Sequence, residues 1–298
     1  MNQSVIWLDG TLVPWEQATI HVMTHTLHYG SGAFEGIRCY TTENGPAIFR
    51  LSDHVDRLIH SFSCFNTPLP WSKEMIEQGI IDVVRANNLT NCYIRPVLFF
   101  GSESLLLSAK KLSVHCAIIA LDMGKYLGRE AITVGISAIK RIDPESMPIH
   151  NKINGFYVNS IFAFHEAQEK GFDEALLLDH EGAIAEGSVA NIFFVIDGAL
   201  KTPLQQSILP GITRASIIAI AQSLGITTKQ ETITVHDIKN ATEAFFTGTA
   251  SEITSIKSIE HKQFITTGIV TDKLKEAYHA IIHGKEKKFK SWLTFIHQ

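Results

Sequence analysis

The run Ile149-His150-Asn151-Lys152-Ile153-Asn154-Gly155-Phe156-Tyr157 holds one lysine in an otherwise uncharged stretch. It opens an apolar helix through Val158, Ile161, Phe162 and Phe164 that ends at Gly171. Any single lysine is by default a solvated surface residue; this one lies beside a helix expected to face the core, where desolvation lowers the amine's pKa and frees it as a nucleophile. Tyr157 follows at helical distance, and Glu186-Gly187 with Asn191 falls on the next strand unit. An amine that can condense with an aldehyde, a nearby phenol and a carboxylate are the groups needed to hold pyridoxal 5'-phosphate (PLP) and use its ring as an electron sink.

Composition indicates a compact globule rather than a disordered tail. At 298 residues the chain has room for two domains with real cores, and it is 45% hydrophobic with positive mean hydropathy. A net charge of -4 argues against nucleic acid or an anionic membrane as partner. The start, Met1 to Gly10, has neither a basic opening nor a long apolar run, and no segment reaches about 18 uninterrupted apolar residues, so a soluble cytoplasmic protein is expected. Cys39, Cys64, Cys92 and Cys116 lie far apart without a Cys-x-x-Cys pair, which suits reduced thiols better than disulfides or zinc.

Outward from the lysine, the elements read as α+β rather than a regular doubly wound sheet. A hairpin is expected around Asp9-Gly10, then a glycine-rich run from His28 to Gly36. A helix capped by Ser52 should present Val55, Leu58, Ile59, Phe62 and Phe65, and a second, Ser72 to Asn87, should bury Ile76, Ile80, Val83 and Val84. Strands are expected at Cys92 to Phe100, Val114 to Leu121, Ala131 to Arg141, Ala175 to Leu178, Ala183 to Ala185, Ile192 to Ile196 and Ala244 to Phe246. Helices follow from about Thr213 to Gly225 and Val270 to Gly284. Two glycines and a charge run near Asp122 to Arg129 divide the chain into a smaller N-terminal domain (1–122), a linker (123–131) and a larger C-terminal domain (132–298).

A PLP site must also grip a phosphate dianion. Leu209-Pro210-Gly211-Ile212-Thr213-Arg214 precedes a helix, whose first N–H groups and dipole favour an anion, and Gly248-Thr249-Ala250 offers a second backbone nest. Taken singly either is ordinary turn chemistry; with Lys152 and Glu186 they form a set.

The chain resembles the branched-chain amino acid aminotransferases of PLP fold type IV. The carrying stretches are His21 to Gly30, Phe34-Glu35-Gly36-Ile37-Arg38, Tyr93-Ile94-Arg95-Pro96, Lys152 with Asn154-Gly155 and Tyr157, Glu186-Gly187 with Asn191, Leu209 to Arg214, and Gly248-Thr249-Ala250 with Glu252-Ile253. They occur in family order over nearly the whole length; the second-half motifs specify the superfamily and the first-half ones the branched-chain subgroup.

The resemblance implies a two-domain, D-amino acid aminotransferase-like fold with the cofactor between the domains. It implies that Lys152 binds the cofactor and then moves the proton at the substrate Cα, that Glu186 keeps the pyridine nitrogen protonated, and that Tyr157 bonds the phenolic oxygen. Arg57, by itself a solvated salt-bridge residue, matches the family's phosphate-binding arginine, with the amides of Ile212, Thr213 and Thr249 completing the cup. Tyr93 and Arg95 alternate along one strand and so share a side, a place to receive carboxylates; the family uses them with amides near Thr249 and Ala250. Phe34, Tyr29, Tyr126 and Tyr157 would wall an apolar pocket, with Tyr29 reaching in from a partner subunit of a homo-oligomer, although such rings also serve as core. The implied reaction passes nitrogen between L-leucine, L-isoleucine or L-valine and 2-oxoglutarate by a ping-pong route.

Competing signals are weaker. His21, His25 and His28 have metal-like spacing, but no carboxylate or cysteine completes a set. Gly30-Ser31-Gly32 with Gly36 misses the dinucleotide spacing and its following acid. D-amino acid aminotransferases and aminodeoxychorismate lyases share the fold but generally lack the His-Tyr-Gly and Phe-Glu-Gly-Ile-Arg run. A phosphate-ligand binding protein without catalysis would have no need of Lys152, Tyr157 and Glu186 together. Two departures bear on substrate: the loop Gly101 to Lys111 lacks the Gly-Met-Gly-Val type segment of bacterial members, and Met123 stands where many carry tryptophan.

Overall fold

A computed structural model describes residues 4–122 and 131–296. Met123, Tyr126 and most of the linker expected at 123–131 lie outside the described residues. The chain forms two compact units: Met1–Gly124 with Asn151–Gly155 and Ile281–Gln298, and Lys125–His150 with Phe156–Ala280.

The first unit begins with β1 (Val5–Leu8) and β2 (Thr11–Pro14), joined at Asp9 (φ 50°) and Gly10 (φ 103°), the two positive values that a tight hairpin turn needs. Then come α1 (His25–Tyr29), β3 (Gly32–Phe34), β4 (Ile37–Thr42), β5 (Gly45–Phe49), α2 (Leu51–Ser63), α3 (Lys73–Ala86), β6 (Cys92–Phe100) and β7 (Val114–Leu121). The second unit carries β8 (Ala131–Ile136), α4 (Tyr157–Glu169), β9 (Glu174–Leu178), β10 (Ile184–Gly187), β11 (Asn191–Ile196), β12 (Ala199–Thr202), α5 (Ile212–Ser223), β13 (Thr228–Gln230), β14 (Ala241–Gly248), β15 (Glu252–Ile259), β16 (Lys262–Gln263) and α6 (Ile269–Ile282). The chain then returns to the first unit as β17 (Leu293–Phe295).

The first sheet runs β17-β5-β4-β6-β7-β1-β2 with β3 also on β6, all antiparallel. The second runs β10-β9-β8-β15-β14-β11-β12-β13 with β16 on β15, and mixes antiparallel pairs with parallel β8–β9, β8–β15 and β12–β13. This is an α+β fold. Two segments depart from a single cut in the linker. Ile281–Gln298 joins the first unit because β17 pairs β5, and Asn151–Gly155 because Ile153 bridges Ala33 and the Lys152 amide donates to Ser61 Oγ (2.8 Å).

Most elements fall where the hydrophobic period puts them, with three corrections. The helix expected to be capped by Ser52 is entered instead through Arg50 at φ 53°, which makes no side-chain cap but pairs with Asp53 in the first turn (2.6 Å). The strand expected to reach Arg141 ends at Ile136, where Glu166 of α4 takes the Ala138 amide (3.0 Å) and the Ser137 hydroxyl (2.5 Å). The helix after Lys152 buries Ser160, Ala163 and Ala167 rather than its large residues: Val158, Ile161 and Phe162 are 50%, 49% and 59% exposed. Small residues let α4 lie close on Ala175 and Leu177 of β9, and the large side chains are turned outward.

In the second unit β9, β10 and β11 are buried on both faces. Every residue of β11 is buried, with Ile192, Phe194 and Ile196 in one core beside Ile132, Val134, Leu176 and Phe246. On the opposite face Phe193 stacks on its cross-strand partner Phe245, centroids 5.2 Å apart and rings within 10° of parallel. Phe245→Ala is therefore expected to cost about 3–5 kcal/mol in denaturant unfolding; a loss under 1 kcal/mol, on the order of a surface change, would contradict this packing.

Candidate active site

In the first unit the site candidates converge on Phe34-Glu35-Gly36, the segment leaving β3. Glu35 is fully buried, and its carboxylate receives Arg57 through Nε (2.6 Å) and NH2 (2.9 Å) and His54 through Nδ1 (2.7 Å). Burial works against the charge, but the Arg57 and His54 interactions outweigh it and hold the carboxyl well below the ordinary glutamate range. His54 is pushed down, first by its own burial, then by the Arg57 and Lys152 charges, against the upward pull of Glu35. A neutral imidazole donating its Nδ1 proton to Glu35 satisfies both. Arg57 is thus not solvated; α2 delivers it to a buried acid.

Lys152 is clamped from both sides. Its amide donates to Ser61 Oγ of α2 (2.8 Å), its carbonyl accepts from the Phe34 amide (3.1 Å), and Nζ lies 4.9 Å from the Phe34 ring centroid. Arg95 stacks on the same Phe34 ring (4.6 Å) and donates to the Tyr93 hydroxyl (2.7 Å), while its buried Nε has no acceptor among the described residues. That unmatched donor suits an anionic ligand. Tyr29 is half exposed on α1, its hydroxyl donating to Leu105 O (2.7 Å). The three histidines are engaged within the fold: His25 with Ser31 and Leu106, His28 with Val22 O, His21 with the Met23 amide.

In the second unit Glu186 lies on β10, buried, at a register shift against β9. Its carboxylate accepts from Arg141 Nε (2.6 Å), Asn191 Nδ2 (3.0 Å) and the Leu209 amide (3.2 Å). Asn191 Nδ2 also donates to Leu209 O (3.0 Å), and a Cβ on Gly211 would overlap Asn191 Oδ1. Only glycine fits there, so the loop entering α5 is pressed against the Glu186 cluster. Gly211 caps α5 with no side-chain bond to the first turn, where Ile212 and Thr213 lie, the arrangement that leaves helix-start amides for an anion. Thr249 and Ala250 occupy the turn between β14 and β15, and Tyr157 begins α4. Arg214, from the same motif, is turned away to Thr202, Pro203 O and Gln230, its pKa lowered to about 10 by burial.

These groups fit PLP chemically: an amine beside an aromatic ring, a buried carboxylate, a glycine-tight helix start and an arginine. Among known proteins, the amino-transferase class IV family profile matches residues 32–259. The branched-chain-amino-acid aminotransferase of Pseudomonas aeruginosa is 44% identical, with 99% of this chain aligned to 98% of that protein. The chain belongs to the branched-chain aminotransferases of class IV. That of Escherichia coli is 38% identical over 98% of this chain and 97% of its own. Among solved structures, the T.th. branched-chain amino acid aminotransferase complexed with N-(5'-phosphopyridoxyl)-L-glutamate superposes with a TM-score of 0.96 at 38% identity, covering 100% of both chains. The branched-chain aminotransferase of Thermoproteus uzoniensis with norvaline gives 0.95 at 40% identity over 98% of this chain and 99% of that one.

For this aminotransferase, motif reading singled out Lys152, Arg57, Glu186, Tyr93 and Arg95 but missed their supports. Glu35 and Asn191 were within quoted motifs without a role, and His54, Ser61 and Arg141 gave no signal beyond being polar residues near apolar ones. Breaking the Glu35–Arg57 pair by Glu35→Gln is expected to destabilise the fold by about 3–5 kcal/mol near neutral pH. Because the folded carboxyl is held below its ordinary value of 4.5, its stabilisation is full above that pH and is lost on acidification. Urea unfolding at several pH values checks this; in the variant that part of the acid dependence disappears.

Proposed function

We propose that the chain is a PLP-dependent L-branched-chain aminotransferase passing nitrogen between leucine, isoleucine or valine and 2-oxoglutarate. The observation that carries it is the presence, in one chain of this family, of Lys152 pinned against Phe34 and of the triply bonded Glu186. PLP supplies an aldehyde for an amine and a ring that draws electrons from the substrate Cα.

Lys152 takes the roles of cofactor attachment and proton carrier at Cα. Its backbone is bonded on both sides, to Ser61 Oγ and to the Phe34 amide, which fixes the point from which the side chain extends. Glu186 would meet the ring nitrogen, and Tyr157 would bond the phenolic oxygen. Arg57 and the amides of Ile212, Thr213 and Thr249 are the groups that would hold the phosphate. Tyr93 and Arg95, with the Ala250 amide, receive carboxylates, and the unmatched Arg95 Nε supports that assignment. Phe34 and Tyr29 wall the apolar side-chain pocket, and Tyr126 belongs to the same proposal. The reading includes a homo-oligomer, which the exposed Val22, Leu27, Tyr29, Leu106 and Leu107 near α1 support as apolar surface that self-association would cover. No helix among the described residues is long and apolar enough to cross a membrane, and the free cysteines suit the cytoplasm.

The deciding test is the visible spectrum of the purified protein before and after L-leucine, L-glutamate or D-alanine. Conversion by L-leucine and L-glutamate is expected; response to D-alanine alone would keep the fold and replace the substrate. Lys152→Ala is expected to abolish turnover in a folded protein, and Glu186→Ala to slow it while PLP still binds; full activity in either sinks these roles. One methylene in an apolar pocket is worth ~1–3 kcal/mol, so all three branched substrates should fall within about two orders of magnitude in kcat/KM. Clean rejection of two of them would refute the pocket.

A further inference from the structure

We propose that Arg141 is a positioning residue that keeps the Glu186 carboxylate ionised and aimed, and thereby sets the protonation of the ring nitrogen that Glu186 meets. This rests on the proposed role of Glu186 toward PLP.

Both partners are fixed by one strand. The Arg141 amide donates to Leu178 O of β9 (2.8 Å), while Glu186 stands opposite Leu177 on the same strand at the β10 register shift. A bulge of this kind re-aims a side chain. The side chains meet at 2.6 Å, Arg141 9% and Glu186 8% exposed. Of the other groups around it, the donors Asn191 Nδ2 and the Leu209 amide are neutral, while the Arg214 guanidinium, hydrogen-bonded to Thr202, Pro203 O and Gln230, adds a second positive charge to the field at Glu186, so Arg141 is the charge that meets the carboxylate at contact.

A carboxyl buried among neutral partners takes up a proton more readily than one in water, because burial penalises the anion. A protonated Glu186 could donate a hydrogen bond to a pyridine nitrogen but could not balance a positive charge there. Guanidinium excludes that state, since it stays charged at any working pH. Because Arg141 meets the carboxylate at contact, it would favour the anion more than it would repel a charge on a nitrogen held beyond that carboxylate. The proton is thereby assigned to the ring nitrogen, where it increases electron withdrawal from the substrate. A lysine at 141 would carry the charge without the planar fork.

The test uses holoenzyme reconstituted with PLP labelled with 15N in the ring, in wild type, Arg141→Met and Arg141→Lys. The ring 15N shift is expected to report a protonated nitrogen in wild type and to move toward the neutral value in Arg141→Met. Turnover should fall by about 10- to 100-fold, the size of one lost charge-assisted hydrogen bond; Arg141→Lys should recover part of both. An unchanged 15N shift in Arg141→Met overturns the proposal, even if thermal stability falls, because a mere brace would act in that way. Should Arg141→Met not fold, 13C titration of Glu186 in wild-type apoprotein decides: it is expected to stay ionised between about pH 5 and 9, and protonation within that range overturns the proposal. Wild type that takes up no PLP would refute the proposed function itself, whereas PLP uptake with an indifferent Arg141 refutes only the inference.

Discussion

A carboxylate taken out of water must have its charge answered at contact distance, or it gives up the charge. Glu186 is the point where this constraint shapes the second unit: Arg141, Asn191 and the Leu209 amide converge on it from three separate segments. Each donor is placed by something else. Arg141 is tied to β9, Asn191 begins β11, and Leu209 leads into the helix start at Gly211. The carboxylate therefore sets the spacing between strand and helix start, and the overlap that any Cβ on Gly211 would make with Asn191 shows how little slack is left. A group that bound Glu186 at one end and the α5 amides at the other would meet a fixed distance.

The first unit solves the same problem on a helix. His54, Arg57 and Ser61 follow one another on α2 at spacings of three and four, so they share a face. Two of them serve Glu35 and the third holds the Lys152 amide. Phe34, adjacent to Glu35, is touched by Arg95 and approached by the Lys152 amine. A rotation of α2 would disturb the acid that orients Arg57 and the backbone that carries the lysine together. That coupling explains why a helix with three polar residues on its inner face is retained here, where apolar residues would pack at lower risk.

The division between what was legible in sequence and what was not follows from range. Period and turn chemistry are local: the Asp9-Gly10 hairpin, the helix beginning at Ser72 and the strands Cys92–Phe100 and Val114–Leu121 are all where their residues put them. The proposed reacting groups stand out in the sequence because their chemistry is rare and their spacing matches a family pattern. Their supports do not, because Arg141 and Glu186, or Ser61 and Lys152, are distant in sequence and joined only by strand pairing or helix docking. The α4 face failed for a different reason. Val158, Ile161 and Phe162 have the period of a core-facing stripe, but Ser160, Ala163 and Ala167 form a narrower one, and β9 took the narrower. Periodicity shows that a helix has two faces; it does not say which face the sheet prefers when both are free of charge.

That exposed α4 stripe and the apolar surface of α1 with Leu106 and Leu107 follow one logic. Each lies next to a site element: α4 opens with Tyr157, and Tyr29 ends α1 with its hydroxyl on the 101–111 loop. Side chains that must line a substrate pocket or an association surface cannot also be spent on their own unit's core. In a chain whose interior is otherwise filled by Phe, Ile and Leu, large apolar residues left in water are surface that association or binding would cover. The sequence departures at 101–111 fall beside α1 in the first unit, where, under the proposed function, a change would alter what is recognised without touching the bonds that hold Lys152. Under the proposed function, cofactor chemistry and substrate choice would be carried by different parts of the chain: the first by buried charge answered at fixed distance, the second by apolar surface free to vary.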